Sequence, residues 1–373
     1  MNIGIDCHYI HSKPRVAQYV ISLLLSWKNN GYFRTRENRI FCYFNKKDDL
    51  IDSFPKEVEI IISKSKNNTL FEQIALPMEI SKDKLDVFFS PYLLLPFFSF
   101  KKSIITIYDI SFVEYPKESS WRNFFDYRYR KYLSKRAAKS ASAIITPTEF
   151  TKKELMRLWG ISEKKIYVLP LGSNINFHKT QLLNFPRQEF ILFKGSILTR
   201  RYLPQIIKIF YEIAKNHPTL RFIIVGKDLT NPSQNIDNLI EKVNYNLIRK
   251  AITRFDKASE QDMLTFYSQA KAFIYLSEYE GFCLPIIEAM NSGLPILANK
   301  NKCLEEIAGN AALYIDNPNN EAELYIKLNR ILTDTNLRQE LKERGIRQAQ
   351  KFSWQQSAKK TWEIMQMIGH DEQ

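Results

Sequence analysis

Residues Ser277–Gly293 read SEYEGFCLPIIEAMNSG, and this segment predicts the architecture of the chain. It follows an apolar run, Ala272–Leu276, that is typical of a buried strand. A tight turn at Gly281 leads into a helical pattern from about Leu284, and Pro285 suits the first helical turn because proline lacks an N–H that would be unpaired there. The segment therefore predicts a strand, a turn and a helix whose N-terminus attracts anions.

Two glutamates flank this turn. Glu280 lies at the start of the turn, directly before Gly281, and Glu288 lies one turn into the helix. A carboxylate can accept hydrogen bonds from two hydroxyl groups at once, which is how sugars and riboses are held. The pair predicts a ligand with a phosphate in the middle and hydroxyl groups at both ends. The alternative is that both are solvated glutamates at a helix end.

Short apolar runs alternate with helical patterns on both sides of this segment. In the first half, the predicted strands are Asn2–Cys7, Ile40–Phe44, Val58–Ile62, Asp86–Phe89, Ser103–Tyr108, Ala143–Thr146 and Ile166–Leu169. In the second half, they are Phe190–Lys194, Arg221–Val225, Ala272–Leu276, Leu294–Ala298 and Ala311–Ile315. The alternation favours an α/β chain with parallel sheets, in which two doubly wound domains are joined near residue 180 by the polar linker Pro170–Gln188.

Composition excludes several classes of protein. The 373 residues are 45% hydrophobic and 25% charged, as in an average globular protein, so neither a disordered chain nor a coiled coil is expected. Four scattered cysteines argue against a disulfide framework or a zinc site and fit a reducing compartment. No run approaches the roughly 20 apolar residues of a membrane span, and the start lacks a secretion signal, so we expect a cytoplasmic protein.

The net charge of +14 is concentrated in the first half, where residues 1–178 hold 28 Lys and Arg against 18 Asp and Glu. It is densest in Trp121–Lys139, a predicted helix with interleaved aromatic residues. Its basic residues are Arg122, Arg128, Arg130, Lys131, Lys135, Arg136 and Lys139. Three interpretations stay open: a domain helix with core aromatics and solvated charges, attachment to an anionic membrane surface, and nucleic-acid binding. No nucleic-acid motif accompanies the last, so we expect no nucleic acid.

The run from Glu280 to Glu288 resembles the E-x7-E motif of the retaining GT-B glycosyltransferases of family 4, in particular the bacterial, mannosyltransferase-like group 1 enzymes. The surrounding pattern E-G-F-x-L-P-x-x-E-A-M-x-x-G-x-P makes this match specific. Other stretches are also similar to family members: Thr106–Asp109, Ala143–Thr151, Ile191–Arg201, Phe255–Leu264, Leu304–Gly309 and Phe352–Trp354.

The resemblance implies a GT-B fold, with two Rossmann-like doubly wound domains facing a central cleft. Residues 1–178 would form the N-terminal acceptor-binding domain, and residues 185–352 the C-terminal domain that binds the nucleotide-sugar. Residues 353–373 would form a helix that crosses back to the N-terminal domain.

The resemblance also implies roles for individual residues. Glu288 would accept from the ribose hydroxyl groups, and Glu280 from those of the donor sugar. Arg201, with Arg200, would neutralise the departing diphosphate, so that no metal or other cofactor is needed. The expected catalytic residues are Glu280, Arg201, Tyr108 and Asp109. The expected donor-binding residues are Glu288, Arg200, Gly195, Ser196, Gly281, Phe282, Cys283 and Leu284.

Three positions depart from the family pattern. In the N-terminal cleft loop, Lys13–Gln18, the family usually has glycines; here Arg15, Val16 and Ala17 occupy the loop, and Arg15 would contact a phosphate or obstruct a ligand. Tyr108 stands where many members have histidine, and it cannot carry a proton near neutral pH. Asp109 would otherwise be a simple helix N-cap. Cys283 replaces a common glycine.

The expected function is transfer of a hexose, mannose favoured, from GDP-mannose or a UDP-hexose to a surface-glycan acceptor, either lipid-linked or part of a lipopolysaccharide. An alternative is a catalytically weak or inactive sugar-nucleotide-binding subunit of a glycosyltransferase complex, which the altered loop and Tyr108 would suit. An epimerase or phosphorylase of the same fold is a further alternative, although no candidate pyridoxal-phosphate lysine is recognisable. The expected location is cytoplasmic or peripheral on the inner face of the cytoplasmic membrane.

Overall fold

The computed structural model describes residues 1–33, 38–63, 65, 67–97, 102–118, 124–173 and 189–370. The chain forms two compact units. The first comprises residues 1–113, 120–172 and 353–373, and the second comprises residues 114–119 and 173–352. Most of the predicted linker, Pro170–Gln188, lies outside the described residues.

Within the described part of the chain, the first unit contains a parallel sheet of seven strands in the order β3-β2-β1-β4-β5-β6-β7. The strands are β1 (Asn2–Asp6), β2 (Arg39–Phe44), β3 (Glu59–Ile62), β4 (Val87–Ser90), β5 (Ser103–Thr106), β6 (Ala143–Thr146) and β7 (Ile166–Val168). The chain runs outward from β1 to β3 and then returns to place β4 on the other side of β1. The strand order therefore reverses between β1 and β4, and such a reversal opens a crevice at the carboxyl ends of the strands.

The second unit repeats this plan. Its sheet, counted over described residues, has six parallel strands in the order β10-β9-β8-β11-β12-β13. They are β8 (Phe190–Lys194), β9 (Arg221–Val225), β10 (Ile252–Phe255), β11 (Ala272–Tyr275), β12 (Ile296–Asn299) and β13 (Ala312–Ile315). Here the order reverses between β8 and β11. The fold is thus the expected α/β GT-B type, with two Rossmann-like sheets.

Helices connect the strands in both units. In the first unit they are α1 (Pro14–Asn29), α2 (Asn68–Leu70), α3 (Leu76–Lys82), α4 (Ser111–Glu114), α5 (Phe124–Ser140), α6 (Glu149–Trp159) and α14 (Trp354–His370). In the second they are α7 (Leu203–Ala214), α8 (Ile236–Asn246), α9 (Glu260–Gln269), α10 (Leu284–Asn291), α11 (Lys302–Ala308), α12 (Glu321–Thr333) and α13 (Thr335–Ala349). A π-helical turn, Phe71–Ala75, joins α2 to α3.

Local sequence signals set the ends of α6. The Thr148 hydroxyl accepts a hydrogen bond from the backbone N–H of Thr151 at 3.1 Å, which satisfies one otherwise unpaired donor of the first turn. At the other end, Gly160 adopts φ +65°, the left-handed conformation that ends a helix and that glycine adopts without steric cost. These two residues place α6 against the end of β6.

The helix α14 packs in the first unit although it follows the second unit in sequence. The indole N–H of Trp27, on α1, donates to the carbonyl oxygen of Ala358 at 2.8 Å. The rings of Trp27 and Trp362 lie 5.4 Å apart in an edge-to-face arrangement. Trp27 is fully buried, so α14 covers an apolar face of α1 that would otherwise meet water.

Three aromatic residues of the basic helix α5 are exposed, which contradicts the interpretation that its aromatic residues are core. Phe125, Tyr129 and Tyr132 are 81%, 48% and 61% exposed, whereas the buried face is formed by Leu133, Ser134, Ala137 and Ala138. The exposed aromatic residues follow helical spacing, so they share one face. Trp121 and Arg122 lie outside the described residues. None of the described helices is both long enough and apolar enough to span a bilayer.

Candidate active site

The candidate site lies where the strand order of the second sheet reverses. The carboxyl end of β8 leads into Gly195 and Ser196, and the carboxyl end of β11 leads through Ser277–Cys283 into α10. Parallel strands end at the same edge of a sheet, so the two loops meet there. The sequence segment that predicted an anion site is therefore placed at the ligand-binding edge of this unit.

Glu280 and Arg201 form a buried ion pair at this edge, with 6% and 5% of their surface exposed. Glu280 Oε1 accepts from Arg201 Nε at 2.8 Å and lies 2.7 Å from Arg201 Nη2. The same oxygen accepts from Tyr275 Oη at 3.1 Å and Ser277 Oγ at 3.0 Å. Burial lowers the pKa of Arg201, but the charge and hydrogen bond of Glu280, together with Tyr275 and Cys283, outweigh this effect and keep the pKa above its ordinary value. Arg201 is therefore held ionised, and the hydrogen bonds fix the pair in one orientation.

The pairing of Arg201 with Glu280 requires a glycine at position 195. Its φ is +145°, a backbone conformation that residues with a Cβ rarely adopt, and a Cβ there would lie 2.7 Å from Arg201 Nη1. Arg201 Nη1 also donates to the carbonyl oxygen of Ser196 at 2.6 Å. The predicted donor-binding residues Gly195 and Ser196 thus support the guanidinium that pairs with Glu280.

Arg200 is also paired with a carboxylate. Its guanidinium forms an ion pair with Glu118 and donates from Nε to the carbonyl oxygen of Tyr279 at 3.1 Å. Its backbone N–H donates to Glu118 Oε1 at 3.2 Å. Glu118 belongs to the short stretch, residues 114–119, that is part of the second unit. The sequence patterns gave no reason to expect this partner, because it is 82 residues away along the chain.

Glu288 has two donors on one oxygen. Lys194 Nζ lies 2.5 Å and Tyr267 Oη 2.6 Å from Glu288 Oε2. Sequence reasoning missed both partners. A signal for Lys194 was present, since it is the one charged residue in the apolar strand β8, FILFK, and stands at the carboxyl end.

The N-terminus of α10 lies in the same loop. Its N-cap is Cys283, and no acidic residue lies in the first turn. Gly281, Phe282, Cys283 and Leu284 are all buried. Burial raises the pKa of the Cys283 thiol to about 12, so it is a neutral packed group and not a nucleophile near pH 7. The helix end presents positive dipole and backbone donors to an anion.

The remaining predicted site residues belong to the first unit. The Tyr108 hydroxyl donates to the carbonyl oxygen of Pro91 at 3.0 Å, and burial raises its pKa. Asp109 Oδ1 accepts from the backbone N–H of Ser111 at 2.9 Å and from its hydroxyl at 2.7 Å, at the start of α4. Asp109 therefore makes the contact with the start of a helix that is expected if it is a simple helix cap. The expected loop Lys13–Gln18 is instead the beginning of α1, because Pro14 suits the first helical turn; there Arg15 is exposed, whereas Val16 and Ala17 are buried.

The sequence patterns missed a second polar cluster, where β1 and β4 end in the first unit. His8 Nδ1 lies 2.5 Å from Asp6 Oδ1, and both residues are buried. The Tyr9 hydroxyl donates to Glu72 Oε2 at 3.1 Å. Burial raises the pKa of Glu72 to about 6, although the nearby His8 and the Tyr9 hydrogen bond oppose the shift. No sequence spacing linked Glu72 to β1.

Two family models together match residues 33–348. Residues 33–177 match the model described as Glycosyltransferase Family 4, and residues 174–348 match the one described as Glycosyl transferases group 1. The chain belongs to the family 4, group 1 GT-B glycosyltransferases. The expected family membership is thereby confirmed.

Known proteins resemble this glycosyltransferase along most of its length. It is 24% identical to the O-antigen chain mannosyltransferase B of Escherichia coli, over 70% of this chain and 69% of that protein. Among solved structures, WaaG, a glycosyltransferase involved in lipopolysaccharide biosynthesis, superposes with a TM-score of 0.71 at 16% identity, covering 97% of this chain and 99% of WaaG. HepE of Anabaena, in complex with UDP and glucose, gives 0.70 at 14% identity, covering 98% and 100%. At these identities the two structures show the fold alone.

Proposed function

We propose that this glycosyltransferase is a retaining, metal-independent hexosyltransferase. It would move a hexose, mannose favoured, from GDP-mannose or a UDP-hexose to a surface-glycan acceptor that is lipid-linked or part of a lipopolysaccharide. The observation that carries the proposal is the arrangement of Glu280, Arg201 and Glu288 beside the N-terminus of α10. The similarity to an O-antigen mannosyltransferase supports mannose and a surface glycan.

Each group in the second unit suits one part of such a donor. The carboxylate of Glu288 suits the ribose hydroxyl groups, and the N-terminus of α10 suits the diphosphate. The buried Glu280 carboxylate suits sugar hydroxyl groups, because its orientation is fixed by three side chains. Arg201 is already ionised, so it can stabilise negative charge on the leaving phosphate without rearrangement.

The proposed chemistry needs no protein nucleophile. The bond between the anomeric carbon and the leaving phosphate oxygen breaks, and the acceptor oxygen bonds to the same face of that carbon. The proton of the acceptor hydroxyl passes to the leaving phosphate oxygen. The contribution of the protein is to hold the departing charge and to orient the two substrates. Tyr108 stays neutral, so it would only hydrogen-bond a sugar.

The donor is tested first by thermal unfolding in EDTA, with GDP, UDP, ADP, dTDP and their common sugars. A ligand that binds the folded state raises its melting temperature according to concentration over Kd. We expect one base to be selected, and the corresponding nucleotide sugar to glycosylate mannose oligosaccharides, as followed by mass spectrometry. Selective binding without any turnover on lipid-linked or free glycans would instead favour the inactive partner subunit.

The proposed location is the inner face of the cytoplasmic membrane. The exposed face of α5 places Phe125, Tyr129 and Tyr132 beside the exposed Arg128. Aromatic residues interleaved with cations suit the interface of an anionic bilayer, where rings enter the headgroup layer and cations meet lipid phosphates. Such a position would bring the enzyme to a lipid-linked acceptor.

A further inference from the structure

Lys194 is a cation that neither the family motif nor the proposed chemistry uses. It is the last residue of β8, at the ligand-binding edge of the second sheet, and its side chain is 26% exposed. Its ammonium group lies 2.5 Å from Glu288 Oε2. The charge of Lys194 is thus compensated by a glutamate, and a phosphate would have to compete with that glutamate for the ammonium group.

The two oxygens of Glu288 are in different situations. Oε2 is held by Lys194 and by the hydroxyl of Tyr267, which donates at 2.6 Å. Oε1 makes no hydrogen bond with any described residue. Two donors on one oxygen fix the plane of the carboxylate and leave the other oxygen to accept from a ligand.

We infer that Lys194 is a positioning residue for the nucleotide ribose. Together with Tyr267 it holds Oε2 of Glu288, so that Oε1 accepts a hydrogen bond from a ribose hydroxyl. The inference rests on the proposed function, since it requires that a ribonucleotide occupies this site. It also assigns Lys194 to recognition of the ribose and not of the diphosphate.

The test compares ribonucleotides with nucleotides that lack the ribose hydroxyl groups. Affinities are measured by calorimetry for GDP or UDP, whichever stabilises the wild-type protein, and for its 2′,3′-dideoxy counterpart. For Lys194→Met we expect binding of the ribonucleotide to weaken about tenfold, the cost of one charged hydrogen bond, and binding of the dideoxynucleotide to change less than twofold. In a Glu288→Gln background, Lys194→Met should have little further effect on either ligand.

Two further variants keep the test decisive. Tyr267→Phe removes only the second donor and should show the same selectivity between the two ligands, even if Lys194→Met folds poorly. Lys215→Met is the matched control, because it also breaks a lysine–glutamate pair, with Glu212, at the far end of α7 from the carboxyl ends of the strands. It should leave both affinities unchanged.

The possible failures are distinguishable. If Lys194→Met weakens the dideoxynucleotide as much as the ribonucleotide, the lysine acts on the phosphates or on folding, and the inference is overturned. If the wild-type protein binds both ligands equally, Glu288 does not hold the ribose, and the inference is again overturned while nucleotide binding stands. If no nucleotide binds, the proposed function itself fails.

Discussion

The charged side chains at the candidate site form ion pairs with one another. Arg200 pairs with Glu118, Arg201 with Glu280, and Lys194 with Glu288. In the proposed function, a diphosphate at this edge of the sheet would meet cations that already have partners, whereas the first turn of α10 holds no acidic residue. The resemblance identified the two glutamates and the arginines, but their pairing depends on contacts that are distant in sequence.

The buried pair of Glu280 and Arg201 gives the first prediction. Glu280→Gln and Arg201→Met should each lower transfer by at least about 100-fold, the effect of removing one preorganised electrostatic group. Each single variant also leaves an uncompensated buried charge and should destabilise the second unit by about 3–5 kcal/mol. The double variant removes both charges and should be more stable than either single one, although inactive.

Activity is followed by product formation, and stability by urea unfolding monitored through circular dichroism. Lys208→Met is the matched control, since it breaks an exposed pair with Glu321 and should change stability by less than about 1 kcal/mol. Full activity in Glu280→Gln would remove that residue from the catalytic set.

Glu72 gives a prediction about pH. Its pKa is raised to about 6 in the folded protein from an ordinary value of 4.5, so the protonated form is favoured by folding. The stabilisation is complete below pH 4.5 and is lost as the pH rises through 6. A shift of this size corresponds to about 2 kcal/mol. Between pH 4.5 and pH 7, the wild-type first unit should lose about that much more unfolding free energy than Glu72→Gln does.

Tryptophan fluorescence isolates this effect. All five tryptophans occur outside residues 114–119 and 173–352, so none belongs to the second unit. Urea titrations at the two pH values, followed by tryptophan emission, therefore report the first unit. Parallel pH dependence in the wild type and Glu72→Gln would show that the carboxyl is not perturbed by folding.

At the scale of elements, apolar periodicity identified most of the helices and strands. All seven strands predicted in the first half are present, because parallel strands buried on both faces read as continuous apolar runs. The strand β10, Ile252–Phe255, was missed because it is an edge strand, in which Thr253, Arg254 and Phe255 are not buried. The helical segment from α2 to α3 was missed because a π-helical turn breaks its 3.6-residue period and Pro77 follows that turn.

The exposed face of α5 gives a prediction of its own. Replacing Phe125 and Tyr132 together by Ser should reduce binding to phosphatidylglycerol vesicles at least about tenfold, since two aromatic side chains would no longer enter the headgroup layer. Binding is measured by co-sedimentation. Tyr245→Ser on α8 is the matched control, because Tyr245 is also highly exposed but lies in the second unit.

The dependence of vesicle binding on salt and on lipid charge completes this test. Wild-type binding should fall steeply with salt and be absent on phosphatidylcholine vesicles, because the cations of α5 require anionic lipid. Equal binding to both kinds of vesicle, or unchanged binding in the double variant, would contradict attachment through α5.

At the scale of the whole molecule, the last helix completes the first unit. Trp362, on α14, is buried; its ring lies against Trp27 and is stacked at 4.7 Å on Tyr32. Trp362→Ala should therefore lower the unfolding free energy of the first unit by about 3–5 kcal/mol. The four remaining tryptophans report that transition, whereas a nucleotide-dependent rise in melting temperature reports the second unit, which should be unaffected.

The arrangement of α14 also fixes an order of events during synthesis. Residues 173–352 are made between the bulk of the first unit and the helix that covers Trp27. At about 5–20 residues per second, the ribosome needs roughly 10–40 s to make them. For that time the nascent first unit exposes the apolar face of α1, whereas the second unit has a continuous core segment and can fold as soon as it emerges. The newly made chain thus passes through a stage in which its own last helix cannot yet shield α1.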